Sequence, residues 1–389
     1  MLVKRLSGAE RADAAVISMV AFHVRAGEEA LRKEREDALK SVDDDWGAFD
    51  GSGTLAARII RNVYEAHFDG GIIPVNGIGA VSTLPEYRES GAIRAIFEKL
   101  LPAAYDAGDV FSTLYPFRHD FYRKFGYETV TYKSEYRFPP ALLRHYRFTG
   151  WARPWKAGDP LEPFTALYES FAARLNLALR RNGEMVKEWT SGVNLEKRRF
   201  LYLLGEGSEP LAYLAFRDVY RPEAAELRVE DLAFSGRRGF LAILGFLGRF
   251  SADYGKVVLP LPTDLDLLPF LSDPYEAEKS FPADHMIRLI NAEKMLSLLR
   301  KSDGAHFAVR VLDPLIPGNE GTFLVEGESV TRTDREPDLV LPQSVLALLA
   351  VGAVSPYEVS LFPGAEIRNG NARWAACFPE KARFLTDHF

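Results

Sequence analysis

Apolar residues at Ile93, Ile96, Phe97, Leu100 and Leu101 recur at i, i+3, i+4, i+7 and i+8, which predicts a helix with one apolar stripe starting at Gly91. Upstream, the pattern predicts an amphipathic helix over 9–25 and a highly charged helix over 28–40, whose charges suit a solvated face or a lid. Strands follow at 46–50 and 54–68, joined by Asp50-Gly51-Ser52-Gly53, whose glycines accept the positive φ of a hairpin turn. After Gly70-Gly71 a third strand ends at 81–83. The order is an antiparallel meander feeding a helix. A buried strand over 110–115 and a short helix over 118–124, closed by Gly126, complete this region.

A Pro-, Arg- and Trp-rich segment over 138–163 reads as a boundary. Beyond it the pattern gives a helix at 164–179, strands at 200–204 and 211–219, and an apolar helix at 240–250, repeating the first order. Placing Gly239 over Gly91 sets Glu230 to Arg238 over the earlier loop, without counterparts of Pro85 and Arg88. A repeat of this kind has lost the ligand of the first copy. From Leu289 onward a helix, strands at 307–312 and 322–325 and a helix at 343–352 form a compact α+β region. With 389 residues, two or three domains are expected, and the divisions fall at 1–145, 146–288 and 289–389.

Composition narrows the function. The net charge of -6, without a basic block, leaves no electrostatic footprint for nucleic acid or an anionic membrane. The single cysteine, Cys377, excludes an intrachain disulfide framework and fits a reducing compartment, so a cytoplasmic location is expected. The apolar runs at 16–22 and 344–354 are too short for a signal segment with a cleavage site or for the roughly 20 residues of a bilayer span. The histidines show no metal-ligand spacing, and no metal is expected.

The segment that carries chemistry is Val81-Ser82-Thr83-Leu84-Pro85-Glu86-Tyr87-Arg88-Glu89-Ser90-Gly91-Ala92-Ile93. A strand running through a tight loop into a helix offers backbone N–H groups and a helix N-terminus to an anion such as a pyrophosphate. Gly91 permits close approach, and Pro85 ends the strand where its missing N–H does no harm. A bare Arg-x-x-Gly is more often a structural turn. Strand, proline, arginine, glycine and periodic helix in this order make the anion site the better reading.

Through Val81 to Arg94 and through Phe121-Tyr122-Arg123-Lys124-Phe125-Gly126-Tyr127, the sequence resembles the Eis-like (enhanced intracellular survival) branch of the GNAT N-acetyltransferases. The resemblance implies an α+β fold: tandem GNAT-like domains, the second degenerate, followed by a C-terminal sterol-carrier-protein-like domain. It implies acetyl-CoA as co-substrate, an amine on a cationic small molecule or a lysine side chain as acceptor, and a homo-oligomer, hexameric in relatives.

By position, the resemblance puts the backbone of Val81 and Thr83, with Ser82 between them, along the pantetheine arm. Arg88, Glu89, Ser90, Gly91, Ala92, Ile93 and Arg94 surround the pyrophosphate. Glu89 and Ser90 stand where the family often has basic residues, which leaves phosphate binding to backbone donors, Arg88 and Arg94. Tyr122 takes the place of the general acid that protonates the departing thiolate, as a phenol of pKa about 10 can. Its other reading is an aromatic corner with Phe125 and Tyr127. The C-terminal carboxylate of Phe389 matches the group that deprotonates or positions the amine; with an ordinary pKa of roughly 3.5 it is a poor base unless desolvated. Phe22, Trp46 and Phe49 either border the acceptor cleft or belong to the core. Family members that acetylate aminoglycosides or other polyamines use an acidic pocket, whereas the residues next to Phe389 here are Asp387 and His388. The competing class is a non-catalytic acyl-CoA or lipid-binding protein. A transferase acting on aminoacyl-tRNA is disfavoured by the acidic balance.

Overall fold

A computed structural model describes residues 1–24, 28–40, 44–194, 196–220, 225–370 and 373–387. The chain opens with β1 (Leu2–Arg5), α1 (Ala9–Ala21) and α2 (Glu28–Lys40). The expected meander then follows as β2 (Asp44–Phe49), β3 (Leu55–Phe68) and β4 (Gly71–Thr83). It feeds α3 (Ala92–Asp106), after which β5 (Phe111–Leu114) returns parallel to β4, and α4 (His119–Arg123) leads to β6 (Glu128–Val130). The apolar stripe of α3 is its buried face. Ile96, Phe97, Leu100 and Leu101 are fully buried, each such side chain contributing about 1.5–3 kcal/mol.

The chain next crosses into a second sheet through β7 (Ser134–Phe138). It continues through β8 (Trp151–Pro154), α5 (Glu162–Ala172), α6 (Gly183–Ser191), β9 (Arg199–Glu206), β10 (Glu209–Val219), β11 (Glu226–Phe234), α7 (Gly236–Gly248), β12 (Lys256–Leu261) and β13 (Glu278–Ser280). Finally β14 (His285–Leu289) returns to the first sheet. The strand orders are β1-β2-β3-β4-β5-β14-β6 and β8-β9-β10-β11-β12-β7-β13. Position by position these are the same sheet, each with its parallel pair in the middle, β4 beside β5 and β11 beside β12. The sixth position is exchanged. β14 completes the first sheet and β7 completes the second.

This exchange means that divisions after residues 145 and 288 do not coincide with the sheets, because β7 of the second sheet lies before the first division and β14 of the first sheet straddles the second. Nor is the 138–163 segment a linker: β8 pairs with β9, and the indole N–H of Trp151 donates to the Gly207 carbonyl at 2.8 Å. The helix expected over 164–179 stops at Ala172. Leu177 takes a φ of 62°, and residues 177–180 hydrogen-bond to the end of β3, Leu177 N–H to the His67 carbonyl at 2.7 Å and Arg180 N–H to that of Glu65 at 2.8 Å. Tertiary pairing outcompetes helix propensity there.

The third region comprises α8 (Ala292–Leu298), β15 (His306–Leu312), β16 (Gly321–Glu326), β17 (Ser329–Arg332), β18 (Leu339–Pro342), α9 (Gln343–Ala350), α10 (Pro356–Val359) and β19 (Glu366–Ile367), with a sheet ordered β17-β16-β15-β18-β19. It is fused to the first region through a shared core that includes Phe68, Phe111, Phe307 and Phe323. Polar groups lock the seam. Buried Arg288 donates to the Phe125 carbonyl at 2.8 Å and to Asp313 at 2.6 Å, and Gln343 donates to the Gly126 carbonyl at 2.6 Å. Among the described residues no helix is long and apolar enough to cross a membrane, and no cluster of side chains could hold a metal ion.

Candidate active site

The site begins where β4 and β5 part. They pair only from Val75 to Ile78 and from Phe111 to Leu114, although β4 runs on to Thr83. In this overrun Ala80 takes a φ of 50°, and the register against β3 shifts between Arg58 and Ile60, a bulge that bends the strand away. The result is a wedge with an unpaired β4 edge facing it, a surface on which an extended ligand can make main-chain hydrogen bonds. Ser82 is buried, its hydroxyl 3.2 Å from that of Ser18 on α1, and Arg58 joins Ser18 at 3.2 Å and Asp45 at 2.7 Å. This network fixes α1 against the wedge.

The loop from Leu84 to Gly91 is held at both ends. Leu84 N–H donates to the Ala56 carbonyl at 3.0 Å, and the hydroxyl of Tyr87 donates to Asp50 at 2.6 Å. Asp50 in turn accepts from Ser52 and Thr54 N–H in the β2–β3 hairpin, so the turn and the loop share one carboxylate. Glu89 and Gly91 have φ of 64° and 84°, in the left-handed region that suits a glycine and strains a glutamate. Gly91 is the N-cap of α3. It supplies no side-chain cap, so the first N–H groups of the helix lack a side-chain acceptor. A Cβ placed at Gly91 would meet nothing within 4 Å.

Loop, helix start and α4 enclose a cavity of about 810 Å³. Val81, Ser82, Thr83, Arg88, Glu89, Gly91, Ala92, Ile93 and Arg94 line it, as does Phe22 at the end of α1. Ser90 alone of the expected loop residues is outside that lining; it is exposed, and its N–H donates to the Tyr87 carbonyl at 3.2 Å. Arg88, Arg94, Arg118 and Lys124 provide positive charge on the wall, against the exposed carboxylate of Glu89. Two of these cations, Arg118 just ahead of the second motif and Lys124 within it, are residues to which the sequence reading gives no binding role. An uncapped helix start, an open left-handed glycine and clustered cations fit a diphosphate, and the free β4 edge fits an extended amide-bearing arm.

Tyr122 stands behind this wall. It is 2% exposed, its ring 5.4 Å from Phe117 and 5.2 Å from Phe121, the aromatic residues that line the cavity in front of it. Burial, reinforced by Tyr127, pushes its phenol above the ordinary value, so it is protonated at neutral pH. Among the described residues nothing hydrogen-bonds to its hydroxyl. Its ring also lies 6.2 Å from that of Tyr127, so the phenol sits in an aromatic corner one ring behind the cavity lining.

Trp46 and Phe49 do not reach the cavity. Trp46 belongs to the core under α3, with the Arg5 guanidinium 5.1 Å from its ring, and Phe49 packs with Leu6 and Ala14 under α1. Alternation along β2 sends them to opposite faces of the sheet, both covered by helices. Phe389 lies outside the described residues.

A second cavity, of about 530 Å³, opens where the two sheets exchange strands. Tyr115 at the end of β5 lines it, two residues before Phe117 lines the first. The Tyr115 hydroxyl donates to Asp284 at 2.9 Å, and Asp284 also holds His285 at 2.9 Å and Lys133 at 3.0 Å. Glu188, Arg181, Trp189 and Asp387 face the same space. No local pattern points to this cavity, because its walls come from segments as far apart in sequence as Tyr64 and Asp387, brought together by the exchange.

The second sheet has no equivalent of the first cavity's loop. β11 runs to Phe234 and α7 starts at Gly236, so the stretch laid over the loop is the end of the strand and the first residues of the helix instead. A Cβ at Gly239 would fall on the Leu211 carbonyl oxygen; this glycine serves close packing.

Residues 3–130 match a family described as Acetyltransferase (GNAT) domain, and residues 293–386 match one described as Sterol carrier protein domain. Comparison with curated proteins finds no match. Among solved structures the whole chain superposes on a GCN5-related N-acetyltransferase from Anabaena variabilis (TM-score 0.86, 20% identity, 100% of each chain). It also superposes on a probable N-acyltransferase from Enterococcus faecalis (0.85, 20%, 100% of this chain and 99% of that one). Eis1 from Mycobacterium abscessus is similar as well (0.82, 21%, 100% of each). At these identities the likeness is one of fold, and the chain is thus an α+β protein with a GNAT acetyltransferase domain at its N-terminal end and a sterol-carrier-protein-like domain at its C-terminal end.

Proposed function

We propose that the protein is an N-acetyltransferase that takes the acetyl group of acetyl-CoA bound on α3 and delivers it to a primary amine held in the cavity between the exchanged sheets. The observation that carries this reading is the left-handed, uncapped Gly91 at the head of α3, beside an unpaired β4 edge, in a cavity walled by arginines and lysine. Arg88, Arg94 and the N–H groups after Gly91 hold the diphosphate, and the backbone from Val81 to Thr83 holds the pantetheine arm. Glu89 weakens the local positive potential but does not cancel it.

The thioester supplies an acyl group already activated for transfer. The chain orients the amine, excludes water and handles protons. Tyr122 carries a proton for the leaving sulfur, and its raised pKa keeps that proton in place at neutral pH. This role requires Phe117 or Phe121 to let the sulfur approach. A Phe389 carboxylate serves as base or as an anchor for the ammonium. Glu188, a lining carboxylate without an ion pair among the described residues, is a second anchor, which fits a cationic small molecule or a lysine side chain.

The burial of Tyr122 behind Phe117 and Phe121 also favours a second reading, a binder of acyl-CoA without transfer. Thiol release from acetyl-CoA across a panel of primary amines, beside calorimetric titration of CoA, separates the two. Transfer to any amine, lost together with CoA affinity in Gly91→Val, supports the transferase. Tight CoA binding with no thiol release on any amine supports the binder.

A further inference from the structure

The wedge between the central parallel strands occurs twice. β11 pairs with β12 only from Glu226 to Arg228 yet runs on to Phe234, as β4 overruns its pairing with β5. In the first unit the wedge adjoins the proposed cofactor cavity. In the second it is filled by the end of the described chain. The Ala382 carbonyl accepts from Asn176 N–H at 2.8 Å, and the Arg383 carbonyl accepts from Thr263 N–H, just beyond β12, at 3.0 Å. Phe384 is buried in the core of the second unit, 5.8 Å from Phe171. On the β11 side, the Thr386 hydroxyl donates to Asp231 at 2.6 Å.

One guanidinium closes this arrangement. Arg181 donates to Asp387 at 2.9 Å, to Asp231 at 2.8 Å and to Thr386 at 3.3 Å, with its guanidinium 3.8 Å above the Tyr168 ring. Its side chain is 4% exposed, that of Asp231 4% and that of Asp387 10%. The forked hydrogen bonds set each of these buried charges against an opposite one, so displacing the tail would leave a buried charge uncompensated. Asp387 and Thr386 both line the inter-sheet cavity, so the clamped segment forms part of its wall.

Resting on the acetyltransferase reading, we propose that the second unit has exchanged a cofactor for the chain's own tail, and that Arg181 is a positioning residue. It clamps Thr386 and Asp387 in the duplicate wedge and so fixes the part of the amine-cavity wall that these two residues form. The loss of the loop between β11 and α7 belongs to the same change: with no diphosphate to bind, strand and helix join directly.

The test uses the full chain with Asp387→Asn and Thr386→Val, which leave the Arg181–Asp231 pair intact, and with Arg181→Lys, which keeps the charge but not the fork. Hydrogen exchange followed by mass spectrometry reads the tail, and steady-state kinetics with acetyl-CoA and an accepted amine reads turnover. Each variant is expected to speed exchange over 382–387 by about tenfold or more, the effect of losing a hydrogen bond to a charged group. Turnover is expected to fall by a similar factor with KM for acetyl-CoA unmoved. Unchanged exchange would overturn the clamp whatever happens to turnover. Faster exchange with unchanged turnover would overturn the positioning role while leaving the transferase reading standing. A wild-type protein without transfer would sink the transferase reading and the positioning role with it, and exchange would then decide the clamp alone.

Discussion

The hydroxyl of Tyr87 donates a 2.6 Å hydrogen bond to Asp50, joining the loop ahead of α3 to the hairpin between β2 and β3. Asp50 is held well below the usual carboxylate range by Tyr87 first and then by Ser52 and Thr54, so it is an ionised acceptor at neutral pH. The bond is peripheral to the core but central to loop shape. Tyr87→Phe is therefore expected to leave the thermal midpoint nearly unchanged and to raise the Kd for acetyl-CoA severalfold. Equal affinity in titration calorimetry would show that the loop keeps its form without this bond.

Gly91 caps the start of α3 and Gly239 lies in the first turn of α7, and each position calls for a glycine for a different reason. At Gly91 the obstacle to a side chain is its φ of 84° alone, since a Cβ would stand in open space; Gly91→Ala is expected to cost about 1–2 kcal/mol of stability. Its added methyl group would occupy the proposed diphosphate position, so acetyl-CoA affinity should fall more than stability does. At Gly239 the Cβ meets the Leu211 carbonyl, and Gly239→Ala is expected to cost of the order of 3 kcal/mol while CoA binding by the folded fraction persists. Urea unfolding and CoA titration of the two variants side by side distinguish a ligand glycine from a packing glycine.

That contrast also marks what the sequence discloses. The α3 stripe, the meander and the loop around Gly91 are local patterns, and residues that must face a core or take a positive φ announce themselves at short spacing. Placing Gly239 over Gly91 misaligns the two helix starts, because a deleted loop leaves no local trace: Glu230 to Phe234 continue a strand and α7 begins at Gly236. Trp46 and Phe49 are ambiguous for a related reason. An aromatic residue on a strand faces one side or the other, and only the helices covering both faces decide that neither is a cleft. The strand exchange and the cavity it creates depend on pairings such as Met286 with Leu114, which periodicity cannot register.

The exchange itself has a folding consequence. A fragment of residues 1–145 keeps β1 to β6 but loses β14, so β5 and β6 lose the strand that lies between them, and β7 is left without β12. Unpaired edges of that kind promote aggregation rather than autonomous folding. The fragment is expected to be insoluble or molten, and in the full chain the two units should melt in one transition. A folded fragment by circular dichroism, or two separated calorimetric transitions, would contradict this interlocking.

Removal of the Tyr122 hydroxyl tests the proposed acid without disturbing its packing. Because Tyr122 is 2% exposed and its hydroxyl has no hydrogen-bond partner among the described residues, Tyr122→Phe leaves no orphaned group behind and should be neutral to slightly stabilising. As general acid it would contribute about 10²-fold or more to turnover. The expected outcome is a fall of that size in kcat with acetyl-CoA affinity intact. If kcat is unchanged, the aromatic corner is the whole of its role.

Acid should destabilise the seam between the sheets in a defined window. His285 is fully buried, and burial holds its imidazole below the ordinary value even though Asp284 lies 2.9 Å away and opposes the shift. Lys133, itself paired with Asp284, adds to the depression, while the Asp387 backbone opposes it. The unfolded chain binds a proton at this position near pH 6.5 and the folded chain does not, so stability from neutral His285 is present above about 6.5 and is lost as pH falls toward the folded value. The slope is at most about 1.4 kcal/mol per pH unit for one such group. His67, depressed by burial beside Glu169, adds a contribution of the same sign. Asp284 is held below the carboxylate range because His285 and Lys133 outweigh the effect of its burial, which extends the loss to lower pH. Urea midpoints measured from pH 7.5 to 5 should therefore fall with pH, and His285→Gln should flatten that fall while leaving the part owed to His67. A midpoint that rises on acidification, or a slope identical in His285→Gln, would show that the seam takes up its proton without cost.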